Sequence, residues 1–413
     1  MKSKIIKTYW IIFFFNPLLS LVLFLKRFNL SYAKNLIWAF TVFYGLTFAI
    51  GNESSGSDIN RYYSELVNLN KISLDLNSAF NYFIYSGEAD IVRTILSVTL
   101  SRFTSNLNIL TLIYAFIFGF FYSRNISYLY ENIGFTRKRF IILLFITIAF
   151  IIPIWNINGF RYYCASHVFL YGLLPYIIAK DKSKIIFIFL SPLFHFSFLA
   201  PVIIYLVYKL LGNRLNFYFI FFLLSSFLLE IDIYQVNTFL SNYLPSFLWE
   251  RTDNYFNAEN VLNYQHKDIF GHKVWYAVLY TKVVHWFIIL SIILIFIRAR
   301  KIITENNQLK TLFSFSLLFG SIANLMANVP SGGRFLAIAT ILFLVSLIIF
   351  SARYAGIKKI KELVIAYNFV FILFFIVTIR TAFYSFSLTT VLGNPIIALF
   401  TTENNISLND VIK

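Results

Sequence analysis

The sequence predicts an all-α, polytopic membrane protein with about 11–12 transmembrane helices. Three observations carry this. The 413 residues are 59% hydrophobic and 20% aromatic, with a mean hydropathy of +0.73, more apolar surface than a water-soluble domain of this length has to bury. Apolar runs of roughly 17–25 residues, the length a helix needs to cross a bilayer, recur along the chain. The runs show no period-two alternation, and only helices and closed barrels satisfy their backbone groups in lipid, so helices are the remaining solution.

The elements follow in order. The run 8–25 comes after Lys2, Lys4 and Lys7 and is not followed by a small-residue cleavage site. It reads as a retained span, and Asn16-Pro17 predicts a bend in it. The run 35–50 leads into a polar exterior element, 51–106. Inside that element, 89–104 carries Arg93 and Arg102 on an amphipathic pattern and is expected to lie along the outer interface. The runs 107–123 and 140–155 flank a basic cluster, and Asn158-Gly159 joins the second of them to 162–179. The run 185–208 contains Pro192 and Pro201. It must leave and return on one side if Lys209, Arg214 and the later basic clusters are to stay cytoplasmic, which predicts two short helices or a bent hairpin meeting near His195. The run 215–232 opens a second exterior element, 233–273, with Trp249, Glu250, Arg251, Asp253, Tyr255, Tyr264 and His266. The runs 274–297, 311–329, 334–350 and 362–380 complete a single membrane domain, 1–413, and 381–413 falls outside. The aromatics of 233–273 suit a sugar-binding platform or a membrane-interface belt equally.

Charge orients this threading. Of the 35 Lys and Arg, 20 lie in the assigned cytoplasmic loops, nine outside, three in the N-terminal tail and three in helices. The net charge of +17 is therefore scattered between apolar runs as topology signals, and nucleic acid is not an expected partner. The three tail lysines fall outside, against the rule. Fourteen of the 18 acids also fall outside, counting Glu230 and Asp232 at the exterior end of the run 215–232, and there they suggest a polar exterior site.

Several chemistries lack their signatures. There is no Gly-rich phosphate loop, HExxH, paired-Cys motif or Gly-x-Ser-x-Gly elbow, and no strand–helix alternation for a nucleotide fold. No cofactor and no metal site is expected, and Asp58 has no neighbouring DxD partner. Cys164, the one cysteine, makes no intrachain disulfide.

What remains is a set of polar residues at the ends of apolar runs. A charge at the edge of hydrocarbon is costly unless paired or wet, so each is a functional candidate. Ser57-Asp58-Ile59-Asn60-Arg61-Tyr62 follows the second run. Asn158-Gly159-Phe160-Arg161-Tyr162 opens another helix, His195 interrupts a third, and Ser331-Gly332-Gly333-Arg334 precedes a fourth. Arg161 and Arg334 suit anionic groups through bidentate guanidinium forks, and the competing reading for both is a snorkelling helix-end arginine. His195 is a candidate general base or a packed histidine. Asp58 and Arg61 are candidate substrate contacts or a mutual ion pair. Glu88 is a candidate contact or a helix-start charge. Lys282 and His285 share a helix face and read as packing, and Arg380 is a weaker candidate.

These motifs resemble the EpsG-like, Wzy-type family of bacterial polysaccharide polymerases. Ser57-Asp58-x-x-Arg61-Tyr62 is similar to the family's exterior Gly-Thr/Ser-Asp-x-x-x-Tyr segment. Glu88 stands where relatives have Glu-Pro-Gly-Phe, without the Pro and Phe. Asn158-x-x-Arg161-x-x-x-Ala165 and Phe194-His195-Phe196-Ser197 match two further elements, and Arg251, Tyr255 and Arg334 carry the likeness in the C-terminal half. The resemblance implies extension of a glycan carried on undecaprenyl pyrophosphate at the outer face of the bacterial cytoplasmic membrane. It implies catalytic roles for His195, Arg161, Arg334 and Asp58, and substrate binding by Arg61, Tyr62, Glu88, Tyr162, Arg251 and Tyr255. Its partners would be the lipid-linked oligosaccharide, the bilayer, a chain-length regulator and a flippase. An O-antigen ligase would share an outer-face arginine site. A flippase should show internal repeats, and none is visible. A membrane acyltransferase should carry an early histidine, and the first here is His167.

Overall fold

The computed structural model describes residues 2–25, 33–50, 58–72, 90–133, 138–227, 275–327, 329, 331–353, 360–400 and 405–412. They are helical, with no strand among them and one isolated bridge, Ser387 to Ser407. In chain order the helices are α1 (Lys2–Phe15), α2 (Pro17–Leu25), α3 (Ala33–Leu46), α4 (Asp58–Ile72), α5 (Ile91–Ser101), α6 (Leu107–Asn132), α7 (Arg139–Ile151), α8 (Phe160–Ala179), α9 (Ile186–Phe194), α10 (Leu199–Leu211), α11 (Leu215–Phe227), α12 (Trp275–Glu305), α13 (Asn307–Met326), α14 (Phe335–Arg353), α15 (Lys361–Ala382), and the short α16 (Leu388–Leu392), α17 (Pro395–Phe400) and α18 (Leu408–Ile412). Among the described residues six stretches are long and apolar enough to cross a membrane: 107–132, 139–179, 282–305, 307–326, 332–352 and 361–382.

The expected breaks occur where the chemistry demands them. Asn16-Pro17 separates α1 from α2, and the Asn16 side chain caps α2 by accepting from the Leu19 N–H. The run 185–208 divides at His195, whose backbone is extended (φ −153°, ψ 120°). Pro192 lies inside α9, three residues before the break, because proline removes a ladder donor and crowds the preceding turn. A left-handed Lys180 ends α8, and Asn306 caps α13 by accepting from the Leu309 N–H.

The chain forms two compact units. The first comprises 1–132, 152–202 and 378–413. There α3 lies along α6 at backbone contact: a Cβ on Gly45 would sit 2.3 Å from Ala115 Cβ, and one on Gly119 would sit 2.8 Å from Thr41 Cβ. Small residues allow this approach, and Thr111 Oγ donates across it to the Gly45 carbonyl at 2.7 Å. Helices α8 and α9 pack on the same core, and α4 packs on α5.

The second unit comprises 133–151 and 203–377. Helix α13 lies between α11 and α14, and α14 also packs on α7. Polar side chains tie these helices: Asn324 donates to Ser225 and Ser226, Tyr208 donates to the Thr311 carbonyl, and Thr147 pairs with Tyr367. The outward faces are apolar. Phe217, Ile220, Leu224 and Phe227 form one exposed stripe on α11, and Ile365, Phe369, Ile372 and Ile376 another on α15. Greasy faces turned outward over polar contacts within are what a lipid solvent selects.

Helix α5 follows the same logic and refines the expectation for 89–104. Eleven residues are too short to span, but the polar face does not meet water. Arg93, Thr94, Ser97 and Ser101 are buried, while Ile95 is 51% exposed.

Candidate active site

The site lies in the first unit and begins with two matched spacings. The Ile59 N–H, an orphan donor at the start of α4, donates to Asn158 Oδ1 at 3.2 Å. One turn further along each segment, Arg161 Nε donates to Tyr62 Oη at 2.8 Å. The Asp58-x-x-x-Tyr62 and Asn158-x-x-Arg161 motifs are thus two sides of one clamp. Asp58 also forms an ion pair with Arg61, which is 64% exposed, so this pair includes the mutual salt bridge that its spacing allowed.

The third motif is joined through a residue that the sequence analysis did not select. Asp90 precedes α5 and is 1% exposed. Its Oδ2 accepts from Arg161 Nη1 at 2.8 Å. Its Oδ1 accepts from His195 Nδ1 at 3.1 Å and from the Phe196 backbone N–H at 3.0 Å. Burial alone would raise the Asp90 pKa, but the hydrogen bond and charge of His195, the Arg161 guanidinium and the Phe196 N–H outweigh it and hold the carboxyl below its usual range. The carboxylate is therefore ionised at neutral pH and only accepts, so Nδ1 of His195 carries a proton. The other ring nitrogen, Nε2, has no protein partner among the described residues and is not sealed from solvent.

A second ion pair extends the network. Arg93, 2% exposed, pairs with Glu65 of α4. The guanidinium carbons of Arg93 and Arg161 each lie 5.3 Å from the centroid of the Tyr62 ring. Burial pushes the Tyr62 pKa up to about 12 against the lowering effect of Arg161, so the phenol stays protonated. Tyr114 packs edge-on against Tyr62 and stacks on Phe160 at 4.0 Å, the residue before Arg161. Beside the network, Asn60, Arg61, Ser64, Glu65 and Asn68 line a groove of about 570 Å³ on α4.

The other candidates divide as follows. Tyr162, expected to bind substrate, is 3% exposed, and its ring meets His195 edge-on at 5.7 Å, so it packs behind the imidazole. Arg334 belongs to the second unit, exposed in a short turn before α14. Of its flanking glycines, Gly332 is required by packing, since a Cβ there would lie 1.9 Å from the Met326 carbonyl oxygen, whereas Gly333 has open space. Glu88, Arg251 and Tyr255 lie outside the described residues. Lys282 is exposed and His285 half-buried on α12. Among the described residues no three His, Cys, Asp or Glu side chains gather as a metal site.

No curated protein and no solved structure matches the chain. A family model does: it covers residues 36–390, a range that contains the whole clamp and the His195 break. On that match the chain belongs to the EpsG family, and membership points to a polysaccharide-polymerase-type role for this multi-pass membrane protein.

Proposed function

We propose that the chain polymerises glycan repeat units carried on undecaprenyl pyrophosphate, at the outer face of the bacterial cytoplasmic membrane. The observation that carries this reading is the pair of donors on Asp90: Arg161 on one oxygen and His195 on the other. Glycan transfer needs both kinds of group. The acceptor hydroxyl oxygen attacks the anomeric carbon of the donor, and its proton passes to His195 Nε2. The carbon–oxygen bond to the carrier breaks, and its electron pair leaves with the pyrophosphate, whose growing charge is met by arginine. His195 then releases the proton to water. Charge stabilisation by arginine requires no metal ion in this scheme.

Substrate binding follows the same division. The amides and hydroxyl of Asn60, Ser64 and Asn68, with Arg61, offer hydrogen bonds to sugar hydroxyls along α4. Arg334 and the segment holding Arg251 and Tyr255 are proposed contacts to the rest of the lipid-linked substrate. A chain-length regulator and a flippase are the proposed partners.

Deleting the gene tests the reading. A polymerase null leaves single repeat units on the cell surface. Long chains accumulating on the carrier would instead identify a ligase, and units trapped facing the cytosol a flippase. His195→Gln should reproduce the null while its membrane level stays normal. Normal chain lengths from that variant would exclude His195 as the base.

A further inference from the structure

We infer that Asp90 is a positioning residue of the transfer reaction, joining the acceptor base to the donor-side cation. This inference rests on the proposed role of His195. Three observations support it.

The first is the diversion of the side chain. Asp90 occupies the N-cap position of α5, where an aspartate ordinarily accepts from its own helix, yet it makes no such bond. Its acceptor capacity goes instead to groups 71, 105 and 106 residues further along the chain. A carboxylate kept only to start α5 would accept locally.

The second is the division of oxygens. Oδ1 takes His195 Nδ1–H and the Phe196 N–H, so it sets both the imidazole and the backbone of the break that presents it. With the proton on Nδ1, the lone pair is on Nε2, the nitrogen left for an acceptor hydroxyl. Oδ2 holds Arg161. When His195 takes a proton, the imidazolium forms beside a carboxylate already in place, so no reorganisation is needed.

The third is the packing that fixes the ring. Tyr162 stands edge-on to the imidazole at 5.7 Å, and the Phe196 ring is also edge-on to it at 5.4 Å. The ring is therefore held by contacts and aimed by one hydrogen bond. Of the charged groups that meet His195 in the described residues, Asp90 contacts it directly, and Arg161 reaches it through Asp90.

The test is a double-mutant cycle in lipid nanodiscs, using lipid-linked oligosaccharide extracted from a strain lacking this chain. Turnover is expressed per molecule of folded, inserted protein. Asp90→Asn should lower kcat on the order of 10²-fold or more, between the ~10–100-fold typical of an outer hydrogen-bond partner and the ~10⁴-fold seen when a triad carboxylate loses its charge. KM should change less than kcat. The double variant Asp90→Asn/His195→Gln should lose less than the product of the two single losses, because the part of the effect that passes through His195 has nothing left to act on while the part that passes through Arg161 persists. If the asparagine variant is poorly inserted, Asp90→Glu replaces it: the charge is kept, the carboxylate is displaced by one methylene, and the same non-additivity is expected. Wild-type kcat from the folded Asp90 variant, or losses that multiply in the double variant, would overturn the inference while leaving His195 as the base. Wild-type kcat from His195→Gln would instead exclude His195 as the base, the reading on which the inference rests.

Discussion

Replacing Arg161 with lysine separates a chemical role from a structural one. The guanidinium spends two nitrogens on two directions, Nη1 on Asp90 and Nε on Tyr62, each at 2.8 Å. It also stands 5.3 Å from the centre of the Tyr62 ring. A lysine nitrogen is a single point on a flexible stem and cannot serve both directions with one geometry. It does keep a positive charge beside Asp90, which is 1% exposed. The cost of an uncompensated buried charge, roughly 3–5 kcal/mol, is therefore not incurred, and inserted protein should stay near the wild-type level. Arg161→Ala would incur it, and its membrane level should fall. For turnover in the proposed reaction, losing the oriented guanidinium beside the developing pyrophosphate charge should cost roughly 2–4 kcal/mol, or about 30- to 1000-fold in rate. The assay is the glycan ladder made by the purified protein in nanodiscs, normalised to folded protein. A wild-type ladder from Arg161→Lys at normal levels would show that a snorkelling cation suffices, and would remove the guanidinium fork from the mechanism.

Three further outcomes follow from the structure. Gly332→Ala should lower thermal stability in detergent by about 1–3 kcal/mol, since its Cβ would collide with the Met326 carbonyl, while Gly333→Ala, with open space, should leave the melting temperature unchanged. For topology, cysteines at Ser73 and Asn257 should react with an impermeant reagent in intact cells, and one at Glu305 should not. Glu305 is preferable to Asn306, which caps α13, and the buried Cys164 can be replaced by alanine as background. Labelling at all three positions would refute the threading. For pH, the folded state holds Asp90 below its usual range, so its contribution to stability is present at neutral pH and disappears as pH falls through and below about 4. The stability difference between wild type and Asp90→Asn should therefore shrink between pH 7 and pH 3 in thermal melts, and a constant difference would refute the ionised carboxylate.

Much of the site was legible because its motifs are positional. Asp58 to Tyr62 and Asn158 to Arg161 each span about one helical turn, and the structure sets these turns against each other. The break at His195 was legible from Pro192 and Pro201. Asp90 was not, for a definable reason. An acid at the start of an amphipathic helix has a sufficient local explanation as a cap, and its real partners lie 71 to 106 residues away. Arg93 was legible as part of a polar helix face but not as a buried ion pair. The amphipathic pattern states which face is polar; it does not state whether that face meets water or protein, and in lipid the second is the usual solution. Tyr162 stood in the motif beside Arg161, and only the packing shows that it backs His195. Of the two glycines on the N-terminal side of Arg334, Gly332 answers to a backbone contact that the sequence does not reveal.

The charge balance of the network bears on how it would work. Among the described residues, Arg61 pairs with Asp58, Arg93 with Glu65 and Arg161 with Asp90. Under the proposed function such a network would not need to draw an anion by net charge, because a lipid carrier would concentrate its pyrophosphate in the membrane plane. Tight binding of the ground-state anion would lower KM without raising turnover. In the proposed reaction a paired network would gain its effect when charge moves: a proton would reach His195 on one oxygen of Asp90 as negative charge grew on the leaving group near Arg161. This makes a prediction about salt. Of these pairs, only Asp58–Arg61 has a strongly exposed cation, and buried pairs are weakly screened. Turnover at saturating lipid-linked substrate should therefore change less than about threefold between roughly 50 mM and 500 mM salt, a range over which the Debye length falls from about 14 Å to about 4 Å. Arg61→Gln should remove most of the residual dependence. A fall of tenfold or more in kcat across that range would show that an exposed basic surface, and not the paired network around Asp90, supplies the charge the reaction uses.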